Sequence, residues 1–119
     1  MRGCVPRERR GGFDTWIGYE NNNAQFDCYV HGHDGEEEIP RYKLPEFETD
    51  ALTDLLLNWI NGHADRPFFA ALSVQPPHDP YTAPAEWMAR HNPARIELPP
   101  NVPDIPRIRE AAQRDLAGY

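Results

Sequence analysis

The sequence predicts an α/β fold: one strand buried on both faces, helices flanking it, and long proline-rich loops. Three observations carry that prediction. Residues 67–74 (Pro-Phe-Phe-Ala-Ala-Leu-Ser-Val) form a nearly unbroken apolar run without polar alternation, the pattern of a parallel-type strand covered above and below. Residues 49–61 place Leu52, Leu55, Leu56, Trp59 and Ile60 at helical spacing on one side. The chain has 13 prolines, most of them after residue 75, and they break that half into short pieces.

The elements are read in chain order. Residues 1–12 are basic and glycine-rich without periodicity, and read as a loop. Gly12-Phe-Asp-Thr-Trp-Ile-Gly18 is an aromatic cluster between glycines, suited to a short strand or turn. Asn21-Asn-Asn23 reads as a polar turn. Phe26-Asp-Cys-Tyr-Val30 is β-prone by residue type. His31 to Pro40 reads as a loop, with Glu36, Glu37 and Glu38 as a solvated surface. The best helix runs from Thr49, which can cap it, to Asn61, with Gly62 where a terminating glycine belongs. A short helix is expected over Pro84–Arg90. A second long one is expected over Ile105–Tyr119, with Ile105, Ile108, Ala112 and Leu116 on one side.

At 119 residues and 13.7 kDa the chain is at most one domain, residues 1–119. Twelve basic against 19 acidic side chains give a net charge of -7, which argues against nucleic-acid partners and against an anionic membrane surface. No apolar run reaches the ~18–20 residues of a membrane span, and the charged start lacks the apolar stretch of a secretory signal. These features leave the compartment open. Cys4 and Cys28 are too few for a disulfide framework. Leu, Ile, Val and Phe supply only 23 residues, yet three Trp and five Tyr are no disordered composition. A strand buried on both faces needs neighbours that this chain does not contain. The sequence therefore reads as a slice from the middle of a larger α/β domain.

Three constellations bear on chemistry. Cys4-Val5-Pro6 begins like the Cys-x-Pro-x-Arg signature whose cysteine is oxidised to formylglycine, but Glu8 stands where the arginine belongs, so an ordinary loop cysteine is expected. His31-Gly-His33-Asp34 has the His-x-His spacing of a metal site without a third ligand at a typical spacing, so a surface loop is expected and no metal ligand is assigned. His78 lies just beyond the apolar run, at the strand end where open α/β sheets bind ligands. Pro76, Pro77 and Pro80 restrict the backbone around it. From position alone, a site histidine and a solvent-facing turn histidine are evenly balanced.

Residues 67–81, ending Gln75-Pro-Pro-His-Asp-Pro-Tyr81, resemble the strand and His-x-Pro turn of sulfatases in the alkaline-phosphatase-like superfamily. Thr49-Asp-Ala-Leu-Thr-Asp54 is similar to the start of that family's preceding helix. Gly12-Phe-Asp-Thr-Trp-Ile-Gly-Tyr19 resembles the segment after its Gly-Lys-Trp-His motif. Leu98–Pro103 and Asp115–Tyr119 resemble the stretch and the helix beyond the His-x-Pro turn. The resemblance implies an internal fragment of a catalytic domain that hydrolyses a small-molecule or carbohydrate sulfate ester. It implies His78 at the sulfate, contacting the ester or protonating the leaving oxygen. It also implies a calcium or other divalent cation and a formylglycine nucleophile, both held by residues outside this chain, so the isolated chain is expected to be inactive. A phosphodiesterase or phosphonate hydrolase of the same superfamily is the nearest alternative. A non-enzymatic module binding through Trp16, Tyr19 and Tyr81 is the more distant one.

Overall fold

The computed structural model describes residues 4–119, which form two compact units, one running to Val74 and one from Gln75 to Tyr119. Together they hold a three-stranded antiparallel sheet and three α-helices. In the first unit, β1 (Thr15–Gly18), β2 (Tyr29–Asp34) and β3 (Glu37–Lys43) lie in the order β1-β2-β3, and α1 (Glu48–Gly62) follows. A 3-10 turn over Arg7–Arg9 precedes the sheet. The second unit carries α2 (Ala85–Met88), a 3-10 turn over Pro93–Arg95, and α3 (Pro106–Gly118).

The segment expected to be a loop, His31 to Pro40, is instead a hairpin. Asp34 pairs with Glu37, leaving Gly35 and Glu36 as the turn, and Gly35 takes φ +52°. A two-residue turn that follows the right-handed twist of its strands needs a positive φ at its first central residue, which glycine adopts without strain. β2 therefore begins three residues later than Phe26 and carries both histidines. Its neighbour β1 pairs Trp16 with His33, Ile17 with Gly32 and Gly18 with His31. Because side chains alternate along a strand, Trp16, His31 and His33 share one face. Ile17 and Val30 point to the other.

That second face is the core. Cys28, Val30 and Leu44 are buried together with Ala51 and Leu52 of α1, and Ile17, Tyr19, Tyr42, Leu55 and Val74 pack around them. The apolar stripe of α1 faces where its spacing places it. Its start differs: the N-cap is Phe47 without a side-chain bond, and Thr49, expected to cap, lies inside the first turn with its hydroxyl buried and without a partner. Tyr19 fastens this end of α1 by donating its hydroxyl proton to Glu48.

Residues 67–74 are not a strand. They have neither helix nor ladder, and Phe68, Phe69 and Leu72 are 45%, 77% and 42% exposed. The apolar run satisfies the side-chain requirement of a doubly covered strand. A strand also needs a neighbour's N–H and C=O groups, and the sheet of this unit is built from β1–β3 alone. The exposed run has a consequence for behaviour in solution, because apolar surface of this kind promotes association. The chain is expected to self-associate with rising concentration, and Phe69→Ser with Leu72→Ser to reduce it, as read by light scattering. Equal scattering from both would locate the association elsewhere.

In the second unit α3 agrees with its predicted span, and Pro106 occupies the first turn, where a missing N–H costs no hydrogen bond. Gly118 lies where an added Cβ would come within 2.2 Å of the Tyr81 carbonyl oxygen, so the end of α3 packs directly on the chain after His78. No helix among the described residues is long and apolar enough to cross a membrane.

Candidate functional site

The face of the sheet opposite the core is polar and covered. Residues 4–10 fold over it and bring Arg10 between the two histidines of β2. Arg10, His31 and His33 are 7%, 6% and 2% exposed. The guanidinium stands 2.9 Å from His33 Nδ1, with a longer 3.4 Å contact to His31 Nδ1, and its Nε–H donates to the Val5 carbonyl at 3.0 Å. Its charge is met by Glu38 at 3.1 Å, and it lies over the Trp16 ring at 5.1 Å.

The tautomers follow from this geometry. A guanidinium only donates, so both Nδ1 atoms accept and each ring proton lies on Nε2. His33 Nε2–H then donates to the Phe13 carbonyl at 3.0 Å, and His31 Nε2–H to Glu20 Oε1 at 2.8 Å. The Val5 N–H donates to the same Glu20 oxygen at 2.6 Å. Partial burial pulls the Glu20 carboxyl upward, but Val5, His31 and Arg10 outweigh it and hold the group below the usual carboxylate range. Cys4 completes the cluster: ligand atoms of Cys4, Glu20 and His31 all lie within 4.8 Å of one another. The three line a cavity of about 280 Å³ together with Asn21, Asn22, Asp27, Tyr29 and Arg41.

Cys4 and His31, weighed separately in the sequence, are thus brought together. Glu20 and Arg10 were not singled out there, and the signal that could have found Glu20 is its period-2 spacing from Trp16 and Gly18 of β1. The cluster does not fit the calcium implied by the sulfatase resemblance. Calcium takes six to eight oxygen ligands, whereas this set offers one carboxylate, a thiol and an imidazole.

His78 belongs to the second unit and sits in a turn closed by its own N–H donating to the Gln75 carbonyl at 3.0 Å. Its side chain is about half exposed. Nδ1 stands 2.8 Å from the Asp79 carbonyl oxygen and 3.0 Å from the Asp79 carboxylate. Both are acceptors, so Nδ1 carries a proton.

Below the sheet, Cys28 is fully buried, and burial first, then the nearby Glu48 carboxylate, pushes its thiol up to about 11. Tyr19 is pushed up as well, by burial and by Glu48. A raised folded-state value means the protonated form stabilises the fold; that contribution is complete below the unfolded thiol's ordinary value of 9.0 and is lost as pH rises through about 11. Thermal stability should therefore fall across this alkaline window, and Cys28→Ala should flatten the fall. The ultraviolet absorbance of the thiolate gives the titration directly, and a midpoint near 9.0 would show the thiol to be solvated.

With these sites in place, two curated proteins prove similar to the chain. The ulvan-active sulfatase of Formosa agariphila is 29% identical over 118 residues, covering 97% of this chain and 22% of its own length. The endo-4-O-sulfatase of Bacteroides thetaiotaomicron is 30% identical over 78 residues, covering 65% of this chain and 15% of its own. The chain thus spans a fifth or so of the length of the curated relatives it matches, and its likeness to sulfatases is distant. No protein-family model and no solved structure matches it.

Proposed function

We propose that this chain is an internal segment of a sulfate-ester hydrolase and that His78 acts at the sulfate end of its active site. The observation that carries this reading is the likeness to two sulfatases, one of them along 97% of the chain. The geometry of His78 supports its part. The Asp79 carbonyl and carboxylate hold the Nδ1 proton and fix the orientation of the ring. Attack on sulfur by a nucleophile from outside this chain breaks the bond between sulfur and the ester oxygen. In this role His78 enters with a proton on Nε2 as well as on Nδ1, and the Nε2 proton passes to that oxygen, which leaves as a neutral alcohol. Formylglycine is the nucleophile and calcium the cation that the sulfatase resemblance implies, and both belong to other segments on this reading. Neither the phosphodiesterase nor the binding-module alternative gains support from the two relatives.

The reading is tested by the coding sequence on either side. An in-frame upstream Cys-x-Pro-x-Arg or Ser-x-Pro-x-Arg followed by Gly-Lys-Trp-His is expected, and its absence would remove the proposal. The 119-residue chain itself is expected to show no turnover of a chromogenic aryl sulfate above the blank. Its Cys4 should remain a thiol by peptide mass spectrometry after expression with the formylglycine-generating machinery, since Glu8 replaces the required arginine. An aldehyde at Cys4 would make this chain the nucleophile-bearing part instead.

A further inference from the structure

We propose that Cys4, Glu20 and His31 form a binding site for one zinc ion, which ties the leading segment of the chain to β1 and β2. The site is independent of the sulfatase reading. Three chemically different donors, from three segments far apart in sequence, converge within 4.8 Å. A tetrahedral zinc with its usual ~2.0–2.3 Å bonds separates ligand atoms by about 3.3–3.7 Å, so adjustments on the order of 1 Å would close the set. Thiolate with imidazole and a single carboxylate is a donor set that suits zinc and excludes calcium and magnesium. The three residues also line one cavity, which leaves room for water or a further ligand in the fourth position, an arrangement known from three-ligand zinc sites.

The surroundings suit a cation in two ways. The Val5 N–H anchors the Glu20 carboxylate at 2.6 Å, and an outer hydrogen bond of this kind orients a metal-bound group. Thiolate and carboxylate together balance the ion's two positive charges, so Arg10 does not face a net positive centre. Protons also balance. The Cys4 thiol proton leaves to solvent, and the His31 proton moves from Nε2 to Nδ1 to expose the coordinating lone pair. That shift gives up the Nε2–H bond to Glu20 at 2.8 Å, which the metal bonds of both residues replace, and the 3.4 Å contact with Arg10, the longest of the arginine's hydrogen bonds, while those to Val5, His33 and Glu38 at 2.9–3.1 Å remain.

Cobalt(II) replaces zinc in such sites and reports on sulfur ligation by a thiolate-to-metal charge-transfer band. The reduced 119-residue chain titrated with cobalt chloride is expected to develop that band, saturating at one equivalent and bleached by zinc. Cys4→Ser should abolish the band. Glu20→Gln should keep it but weaken binding by at least the ~10–100-fold that loss of an outer partner costs. Cys28→Ser, which alters the buried thiol on the opposite face, should leave both band and affinity unchanged. No band at stoichiometric cobalt, or a band that survives Cys4→Ser, would overturn the site. A chain that is unfolded before titration does not rescue it, because coordination at a true site supplies folding free energy and would order the segment.

Discussion

Replacing His78 by alanine in the full-length sulfate-ester hydrolase proposed to contain this chain lowers turnover by ~10²–10⁴-fold, the usual contribution of a positioned acid–base group. In barrier terms that is about 2.7–5.4 kcal/mol. The expectation rests on two structural facts. The ring is half exposed at a turn, so a substrate can reach it, and Asp79 fixes which nitrogen holds the proton by contacts at 2.8 and 3.0 Å. An ester whose leaving group is already acidic needs no proton from the enzyme. The deficit should therefore shrink on an activated aryl sulfate and be largest on an alkyl or carbohydrate sulfate. His91→Ala, at an exposed histidine of the same unit, is the control and leaves kinetics unchanged. Equal activity of His78→Ala and the parent on an unactivated ester would remove His78 from the site.

Gly32→Ala is the substitution expected to damage the first unit most. A Cβ at this position would stand 2.0 Å from the Trp16 carbonyl oxygen and 3.0 Å from the Ile17 Cα. Both are backbone atoms of β1, directly across the ladder, so no rotamer change relieves the overlap. The strands must part, and the ladder that aligns Trp16 with His33 and Gly18 with His31 goes with them. Overpacking in a rigid place costs ~1–3 kcal/mol, and the upper end applies where backbone meets backbone. A unit whose buried apolar core is Cys28, Val30, Leu44, Ala51 and Leu52 has little stability to spare. Loss of the near-ultraviolet dichroism of Trp16 at a temperature where the parent retains it is the expected result. An unchanged melting curve would mean that β1 and β2 approach less closely than the structure has them.

Much of the helical structure was legible in the sequence, and for one reason. The Leu52, Leu55, Leu56, Trp59 and Ile60 stripe and the Pro106 start of α3 are local signals, carried within a few turns of one helix and satisfied by its own backbone bonds. The distant likeness to sulfatases was legible too, because it lies in the order of residues. The contacts of His78 were not: only the structure shows that Asp79 holds its Nδ1.

The sheet and the polar cluster were decided by tertiary structure. Residue types in His31–Pro40 look like a loop, and the Asp34-Gly35 pair that could have marked a hairpin turn is a weak signal until both arms find partners. Once β2 forms, strand alternation puts His31 and His33 on one face, and folding of residues 4–10 over that face supplies Arg10 and Cys4. No spacing rule connects residues 4, 20 and 31. The reverse holds for residues 67–74, where side-chain apolarity announced a buried strand. A ladder is a property of two segments, and among the described residues no segment pairs with that run.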